Sequence, residues 1–269
     1  MPELPEVENV RRSLEAQGAI GQTFDRVELL RANLRTPLKK ELGKNLPGQT
    51  VQALNRRAKF LIFETEDFQV ISHLGMTGSW RPGPSPREKH DHVIFQFRSG
   101  LQLVFNDPRR FGLLELVQKN QNSRWLDKLG PEPLSADFNA DYLFAISRGL
   151  KAPIKNLIMD QRRVVGVGNI YASEALFRAR VRPSRPAYKL TRHESQTLVQ
   201  TVSEVLTQAI SAGGSTIRDY RNAEGESGRF QNEFAVYGRA GEPCPSCKTP
   251  IKSKFLAGRN TFWCAKCQR

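Results

Sequence analysis

The chain has 269 residues, which suffice for one large domain or two ordinary domains with apolar cores. Lysine and arginine number 41 against 27 acidic residues, so the formal net charge of +14 favours a polyanionic partner, although charge alone does not distinguish DNA from RNA. No apolar run approaches the ~20 residues of a membrane-spanning helix, and the N-terminus lacks the pattern of a signal peptide, so we expect a cytoplasmic protein.

The N-terminal segment PEVENVRRSLEA, residues 5–16, predicts a helix. Pro5 suits the first helical position, because an N–H there would have no intrahelical partner. Glu6 complements the positive end of the helix dipole. Val7 and Val10 recur at helical spacing, so we expect one face of this helix to be buried.

Residues 50–117 predict a series of short antiparallel strands. Five β-branched or aromatic runs are separated by turn residues, and Ser99-Gly100 is typical of a hairpin turn between two of them. A proline-rich loop, RPGPSPREKHD, separates two others. Strands at this spacing predict a β-sandwich. The five runs are KFLIFE, FQVISHL, HVIFQF, LQLVFN and FGLLELV.

Helical patterns replace the strands near LGPEPLS, residues 129–135, where we place a domain boundary. Thr191 and Glu194 form a capping-box pattern at the start of a helix over 191–212, which a pair of glycines ends. The polar, glycine-containing segment 213–233 then predicts a long loop. Loops of that length in a compact domain are usually functional or disordered.

All four cysteines lie close to the C-terminus, in the pairs CPSC and CAKC. Two C-x2-C pairs at this spacing predict a zinc site, with free thiols as the alternative. Four thiolate ligands would make the site closed and structural rather than catalytic. The segment between the pairs predicts a hairpin whose tip carries Arg259, either as a phosphate contact or as a solvated turn residue. The expected ligands are Cys244, Cys247, Cys264 and Cys267.

Four segments carry side chains that suit DNA but that have an equally good structural explanation when taken singly. Met76 and Phe111, in HLGMTG and NDPRRFG, would act as wedges between bases, yet most such residues in strands belong to a core. Lys59, at a strand start in RRAKF, would contact phosphate or solvent. In KHDH, alternation along a strand places His90 and His92 on one face, where we favour a structural or phosphate-contact role over a metal site.

Asn169, in VVGVGNIYASEALF, occupies a position typical of a helix N-cap. Backbone N–H groups at such a helix start bind phosphate. Glycines before a helix more often form only a tight turn, so this segment by itself is weak support for a phosphate site.

The start of the chain, MPELPE, suggests covalent chemistry. If Met1 is removed, Pro2 carries a free α-amino group, a class with a pKa of about 7.7–8.0 against about 10.4 for lysine, so a useful fraction is uncharged and nucleophilic at neutral pH. The adduct of a secondary amine with a sugar C1′ is an iminium that has no N–H to lose, and it promotes elimination. Glu3 and Glu6 would supply the proton transfers. The alternative is that these residues only shape a helix start.

Together these segments resemble the bacterial formamidopyrimidine-DNA glycosylases, which are 8-oxoguanine DNA glycosylases and AP lyases. The matching segments extend from one end of the chain to the other, and the PELPE start combined with the cysteine pairs is highly specific. The other segments are RRAK, HLGMTG, KHDHV, NDPRRFG, LGPEPLS, VVGVGNIYASE, GGST and YGRAGEPC.

The resemblance implies an α+β fold, with an N-terminal antiparallel β-sandwich and flanking helices, then a helix–two-turn–helix domain with a β-hairpin zinc finger. We expect the first domain over 1–132, the second, with a lesion-capping loop, over 133–236, and the zinc ribbon over 237–269. It also implies one structural zinc ion, a monomer in the bacterial cytoplasm and nucleoid, and a double-stranded DNA partner containing oxidised purines or abasic sites.

The same resemblance implies roles for individual residues. Pro2 is implied to be the nucleophile and Glu3 the acid/base, with Glu6 as a supporting carboxylate. Lys59 and Arg259 are implied to hold phosphates at the catalytic centre. Three side chains would fill the void left by the everted nucleotide, and one of them, an arginine, would face the estranged cytosine. The implied DNA-binding set comprises His73, Met76, His92, Arg109, Phe111, Lys155, Asn169, Ser215, Tyr237 and Arg259.

The implied activity is removal of oxidised purines, followed by β,δ-elimination through a Schiff base with the N-terminal proline. The related endonuclease VIII family shares the fold, but it starts with PEGPE, favours oxidised pyrimidines and lacks the Met/Arg/Phe trio. A nonenzymatic zinc-ribbon protein that binds damaged DNA is a second alternative, which retention of Met1 would favour. An RNA-binding ribosomal factor is a third, which would show no preference for damaged duplex.

Overall fold

A computed structural model describes residues 1–83, 87–215 and 228–269 of the chain. Among these residues, no helix has both the length and the apolar character needed to cross a membrane. The chain divides into two compact units, the first formed by Met1–Asp127 with Ala212–Arg229 and the second by Lys128–Ser211 with Phe230–Arg269. The three-domain division expected from the sequence, with borders after residues 132 and 236, remains a prediction.

In the described part of the first unit, eight strands form two four-stranded antiparallel sheets, which confirms the predicted architecture. The strands are β1 (Phe24–Leu29), β2 (Ala53–Arg57), β3 (Phe60–Glu64), β4 (Phe68–His73), β5 (Ser79–Gly83), β6 (Asp91–Phe97), β7 (Gln102–Asn106) and β8 (Leu113–Gln118). One sheet has the order β1-β6-β7-β5 and the other β2-β3-β4-β8. The predicted Ser99-Gly100 turn joins β6 to β7, with Gly100 at a φ of 89°.

An aromatic cluster forms the core of the first unit. Phe95 of β6 lies against Phe24 and Trp80 of its own sheet, with ring centroids 5.2 and 4.8 Å away. It also contacts Phe63 of the other sheet at 5.6 Å. Trp80 Nε1 donates to Ser72 Oγ at 3.0 Å, so the buried indole N–H has its partner within the core. These contacts join the two sheets face to face.

Three strands, β1, β2 and β5, are absent from the five predicted runs. In β1 and β2 charged residues interrupt the apolar ones, which hides the strand pattern. Arg81–Gly83, expected in the proline-rich loop, belongs to β5, and residues 84–86 of that loop lie outside the described residues. A proline is tolerated there because β5 is at the edge of its sheet.

Three predicted placements near strand ends are wrong. Lys59 lies in the two-residue turn between β2 and β3, where Ala58 adopts a φ of 55°, and not in a strand. His90 precedes β6, so strand alternation does not relate it to His92. Phe111 precedes β8. In each case the residue lies next to a strand-like run in the sequence, but the backbone at that residue is outside the strand.

Two helices of the first unit are α1 (Leu4–Ala16) and α2 (Glu41–Asn45). Helix α1 begins one residue before the predicted position, because the Glu3 carboxylate accepts the Glu6 backbone N–H and so caps the helix. Pro5 is therefore the second helical residue, still in the first turn, where a backbone N–H needs no intrahelical partner. The predicted apolar face of α1 is buried.

The second unit is helical and ends in a hairpin. Its elements are α3 (Ala140–Ser147), α4 (Ile154–Met159), α5 (Asn169–Arg178), α6 (Arg192–Ser211), β9 (Lys252–Leu256), β10 (Arg259–Trp263) and short 3-10 helices at Ala187–Lys189 and Phe230–Glu233. Gly168 caps α5, so Asn169 is its first residue and not the predicted cap. The predicted loop over 213–233 is interrupted by the second 3-10 helix, and its residues 216–227, most of the expected lesion-capping loop, lie outside the described residues.

The predicted capping box of α6 is confirmed. Thr191 Oγ1 accepts the Glu194 N–H at 3.1 Å, and Glu194 Oε2 accepts the Thr191 N–H at 2.9 Å. Behind this start, an apolar stripe is buried along the helix and anchors it in the unit. The buried apolar residues of the stripe are Leu198, Val202, Val205, Leu206, Ala209 and Ile210.

Thr191→Ala should lower the free energy of unfolding by about 1 kcal/mol, because the Glu194 N–H loses its cap. Denaturant unfolding monitored by circular dichroism measures this loss. Thr197→Ala is the matched control, since the Thr197 hydroxyl only donates to the His193 carbonyl within the helix, at 3.1 Å. Equal losses from the two substitutions would contradict the capping role.

Candidate functional site

A buried pair of carboxylates lies beside Pro2 in the first unit. Glu3 and Glu6 are 3% and 2% exposed and Pro2 is buried, whereas Met1 is 46% exposed. Glu6 Oε2 accepts the Glu3 backbone N–H at 2.8 Å, while the Glu3 side chain accepts the Glu6 backbone N–H. These reciprocal hydrogen bonds hold both carboxylates in the first turn of α1, next to the predicted nucleophile.

Ser215 brings a distant part of the chain to the same carboxylates. Its N–H and its hydroxyl both donate to Glu6 Oε1, at 2.8 and 3.1 Å. Both oxygens of Glu6 therefore accept hydrogen bonds, which fixes the orientation of this carboxylate. Since Ser215 is 209 residues away in sequence, only the fold reveals that it belongs to this cluster.

An ion-pair network holds α1 against β2. The Glu8 carboxylate accepts from Arg11 and Arg12 of the helix at 3.0 and 2.9 Å. Arg56 of β2 adds a third contact at 3.2 Å. Burial raises the pKa of Glu8, but the hydrogen bonds from Arg11 and Arg12 and the charge of Arg56 outweigh burial and lower the pKa overall. The network fixes the helix whose first turn carries Glu3 and Glu6.

Lys59 and His73 lie near each other at one end of the second sheet. Lys59 is 5% exposed, and the ring of the next residue, Phe60, lies 4.8 Å from the His73 ring. His73 Nδ1 accepts the Gly75 N–H at 2.9 Å, so the ring proton belongs on Nε2. Burial, and then the charges of Lys59 and Arg35, lower the pKa of His73 to about 4. The imidazole is therefore a neutral hydrogen-bond donor at pH 7.

Met76, Arg109 and Phe111 lie on two exposed loops that contact each other. Met76 and Phe111 are 42% and 44% exposed, so the alternative that they are core residues of strands is wrong. The Arg109 guanidinium lies 4.8 Å from the centroid of the Phe111 ring. The loops touch at Gly75, where a Cβ would lie 2.4 Å from the Phe111 carbonyl carbon.

His92 is buried, unlike the exposed Met76, Arg109 and Phe111. It is 3% exposed, and its Nε2 lies 2.8 Å from the Asp107 carbonyl oxygen. This contact supports the backbone of the NDPRRFG segment, which is the structural role considered for His92 in the sequence. A direct contact between His92 and DNA remains a prediction.

In the second unit, Lys155 connects three elements. It is 1% exposed, and its Nζ donates to Asn169 Oδ1 at 2.6 Å and to Thr261 Oγ1 at 2.8 Å. Asn169 Nδ2 in turn donates to the Asn260 carbonyl at 3.0 Å. The hydrogen bonds tie α4 and the start of α5 to β10, so the predicted residues Lys155 and Asn169 lie together.

Arg259 is exposed next to the two-residue turn Ala257–Gly258 that joins β9 to β10. Together with Lys155 it lines an open cavity of about 200 Å³. Tyr237 stacks edge-on against Phe262, with ring centroids 5.2 Å apart, and so packs on the hairpin. Lys155 and Arg259 therefore place two positive charges on one concave surface near the tip of the hairpin, whereas Tyr237 packs on β10 farther from that tip.

The four cysteines form one compact cluster. Their sulfur atoms all lie within 4.8 Å of one another, and the Cys247–Cys264 and Cys244–Cys267 pairs are 3.4 and 3.9 Å apart. Tetrahedral zinc–thiolate bonds of about 2.3 Å place sulfur atoms about 3.8 Å apart, so this donor set fits one ion. Burial and the neighbouring thiols raise the pKa of Cys267 to about 12. Four deprotonated thiols this close would repel one another, and a bound divalent cation would offset that repulsion.

The sequence did not indicate a role for two further carboxylates, Asp107 and Glu174, which are buried in the structure. Glu174, which is fully buried, accepts three backbone N–H groups, those of Ala235, Val236 and Tyr237, at 2.8 to 3.0 Å. It thereby fixes the segment leading into the ribbon. Asp107 accepts donors from both exposed loops. Neither belongs to a metal or capping pattern. The one signal in the sequence is at Glu174, an acid among the mostly apolar residues 170–177.

The stability of the protein should depend on the titration of His73. Its pKa is about 4 in the folded protein, against about 6.5 in an unfolded chain. Between these values the unfolded state binds the additional proton, so the free energy of unfolding falls by about 2.6 kcal/mol as the pH falls from 6.5 to 4. His73→Gln, which does not titrate, should show a weaker fall in denaturant unfolding. An equal fall in both proteins would contradict the assignment.

Cys264→Ala should reduce the bound metal from about one zinc ion per chain to nearly none, because three thiolates cannot close a tetrahedral site. Atomic absorption on the purified protein measures the metal content. Ser253→Ala, an exposed change in β9, is the control and should retain the full content. Unchanged zinc in the Cys264→Ala protein would show that the metal is held elsewhere.

Three family models match the chain in the order of its parts. They are the formamidopyrimidine-DNA glycosylase N-terminal domain over residues 1–114, the formamidopyrimidine-DNA glycosylase H2TH domain over residues 129–221, and the zinc finger found in FPG and IleRS over residues 241–269. The third match contains all four cysteines, which identifies their metal as zinc and confirms the predicted cofactor.

Relatives match over the whole chain. A formamidopyrimidine-DNA glycosylase of Bdellovibrio bacteriovorus is 48% identical and is covered completely, as is this chain. A Lactococcus lactis FPG variant, crystallised with Fapy-dG containing DNA, has a TM-score of 0.92 at 39% identity, over 100% of both chains. Lactococcus lactis Fpg in complex with abasic site containing DNA has a TM-score of 0.91 at 39% identity, over 99% of both chains. This chain therefore belongs to the formamidopyrimidine-DNA glycosylase family.

Proposed function

We propose that this protein is a base-excision repair enzyme, a bifunctional DNA glycosylase and AP lyase that removes 8-oxoguanine and formamidopyrimidines from duplex DNA. The observation that carries the proposal is the buried pair Glu3 and Glu6 beside Pro2, in a member of this family. The relatives bound to Fapy-dG and abasic DNA support the two activities. The net charge of +14 suits a DNA partner, and the enzyme acts on the nucleoid of a bacterial cytoplasm.

The chemistry begins with removal of Met1, which frees the secondary amine of Pro2. The Pro2 nitrogen attacks C1′ of the damaged nucleotide, the bond from C1′ to the base breaks, and the base leaves with the bonding electrons and takes up a proton. The bound amine then loses its proton, and the sugar ring opens as the C1′–O4′ bond breaks and O4′ takes up a proton, which leaves an iminium between Pro2 and C1′. The iminium draws electrons, so loss of a C2′ proton expels the 3′ phosphate, and loss of a C4′ proton in a second elimination expels the 5′ phosphate. Water then releases Pro2, and the DNA has a one-nucleotide gap with phosphate at both ends.

The two carboxylates have different tasks. Glu3 adjoins the amine and acts as the acid/base that moves protons during base loss and elimination. Glu6 acts as a supporting carboxylate, since its two oxygens are engaged by the Glu3 N–H and by Ser215. This division keeps the proton carrier at a constant distance from the nucleophile.

Other residues of the first unit bind and deform the duplex. Lys59 and the neutral His73 donate to phosphates that flank the lesion. Met76, Arg109 and Phe111 enter the stack and occupy the void, with Arg109 facing the estranged cytosine. Everting the damaged nucleotide costs a few kcal/mol of unstacking, and filling the void offsets that cost.

The second unit contributes phosphate contacts from Lys155, Asn169, Tyr237 and Arg259. The hydrogen bonds of Lys155 and Asn169 to the hairpin support this grouping. Zinc holds the hairpin and takes no part in the chemistry, because four thiolates leave no coordination position for substrate.

The preference for oxidised purines over oxidised pyrimidines follows from the first residues of the chain and from the three side chains that enter the base stack. The chain begins PELPE, whereas the endonuclease VIII family begins PEGPE. It also contains Met76, Arg109 and Phe111, the trio that the endonuclease VIII family lacks, and all three side chains are exposed here. Excision assays on a panel of defined lesions compare the two preferences directly.

Borohydride reduction should trap the mature protein covalently on a duplex containing 8-oxoguanine or an abasic site, seen as a shifted band on a denaturing gel. Pro2→Gly should lose most of this adduct, because its primary amine forms an imine that readily becomes neutral. Glu3→Gln should slow base excision by about 10²-fold or more, because proton transfer is lost.

Pro47→Gly, an exposed proline-to-glycine change outside this cluster, is the matched control and should be trapped normally. Mass spectrometry must first show that Met1 is absent from each protein. If the Pro2→Gly protein cut abasic DNA at the full rate, the amine of Pro2 would not be the nucleophile.

A further inference from the structure

Two loops carry the three residues that enter the duplex. The Met76 loop, residues 74–78, connects β4 to β5, and the Arg109 loop, residues 107–112, connects β7 to β8. Asp107 is the first residue of the Arg109 loop, and it is fully buried at 0% exposure. A buried carboxylate is costly unless donors surround it, so its partners indicate what it stabilises.

The Asp107 carboxylate binds both loops. The Thr77 hydroxyl donates to Oδ1 at 2.6 Å, and the Gly112 N–H donates to Oδ2 at 2.7 Å. The Arg109 N–H lies 3.3 Å from Oδ1 and 3.2 Å from Thr77 Oγ1. Thr77 follows Met76 in the chain and Gly112 follows Phe111, so each of the three wedge residues is, or adjoins, a donor to this one carboxylate.

The surroundings leave little room for another arrangement. A Cβ on Gly112 would lie 2.7 Å from the Phe105 ring and 3.0 Å from Asp107 Oδ2. On the other side, the Asp107 N–H donates to the His90 carbonyl at 3.0 Å, and its own carbonyl lies 2.8 Å from His92 Nε2. The carboxylate is therefore anchored to the β6 side while it holds both loops.

We propose that Asp107 is a positioning residue that sets the spacing of Met76, Arg109 and Phe111, so that the three side chains enter DNA as one preformed wedge. The inference rests on the proposed function, which assigns those residues to the void. Exposed side chains on separate loops would each lose conformational freedom on insertion. Hydrogen bonds from both loops to one buried carboxylate restrict the backbones that carry these side chains before DNA binds.

The choice of substrate separates the positioning role of Asp107 from a general contribution to folding. Eversion costs least for a base that has no partner. A defect in the wedge therefore slows excision of a paired lesion more than excision of the same lesion in a one-nucleotide bulge. A defect in folding or in the Pro2 chemistry slows both reactions equally.

Single-turnover excision of 8-oxoguanine should be measured on both duplexes. Asp107→Asn exchanges one acceptor oxygen for a donor, so one of the two loops loses its partner. We expect excision to fall by about 10²-fold on the paired lesion and by less than about 10-fold on the bulge. Thr77→Val removes only the hydroxyl and should shift the ratio of the two rates in the same direction. If the Asp107→Asn protein does not fold, the Thr77→Val protein is used to test the proposal.

Thr65→Val is the matched control. Thr65 is fully buried, and its hydroxyl donates to the Phe68 carbonyl and accepts the Phe68 N–H, both at 3.0 Å. It lies in the turn before β4, whereas the Met76 loop follows the far end of that strand. The substitution should lower the melting temperature and leave the ratio of paired to bulged excision unchanged.

Equal slowing on both duplexes for Asp107→Asn and Thr77→Val, or wild-type rates for both, would overturn the proposal. Phe111→Ala separates this failure from failure of the proposed function. If Phe111→Ala changes the ratio and the other two variants do not, only the positioning role of Asp107 fails. If Phe111→Ala also leaves the ratio unchanged, the assignment of the wedge itself is wrong.

Discussion

The candidate active site depends on the hydrogen bonds that Glu3 and Glu6 exchange across the first turn of α1. Burying two carboxylates costs free energy unless donors are supplied, and the N-terminus of a helix supplies backbone N–H groups that have no intrahelical partner. The contacts that start the helix are therefore the same contacts that hold two acids beside Pro2. Ser215 then engages the remaining oxygen of Glu6 and connects a distant segment to the site.

The same device recurs in the described parts of both units. Asp107 accepts backbone N–H groups of the Arg109 loop, and Glu174 accepts three from the segment before the ribbon. A chain with a net charge of +14 thus buries several of its 27 acidic residues, where they accept hydrogen bonds from the backbone. The net charge of +14 already includes these buried acids, so the protein keeps its attraction for a polyanion.

The sequence predicted correctly those features that depend on residues close together in the chain. The α6 capping box, the five apolar runs and the cysteine pairs are local patterns, and all three are found in the structure. The predictions that failed concern positions where a turn ends a strand, as at Lys59 and His90, or where a neighbour caps a helix, as at Asn169. Local apolar patterns continue through such positions, whereas backbone hydrogen bonding does not.

The sequence by itself determined the family resemblance, the two-sheet and helical architecture, the zinc ligands and the proline start, because each is a pattern of residues close together in the chain. The tertiary structure alone decided that Ser215 meets Glu6, that Arg56 anchors α1, and that Asp107 joins two loops. These contacts unite residues far apart in sequence, and a carboxylate gives no local sign of which distant donor it will meet. Burial makes such a contact necessary, and only the fold determines the partner.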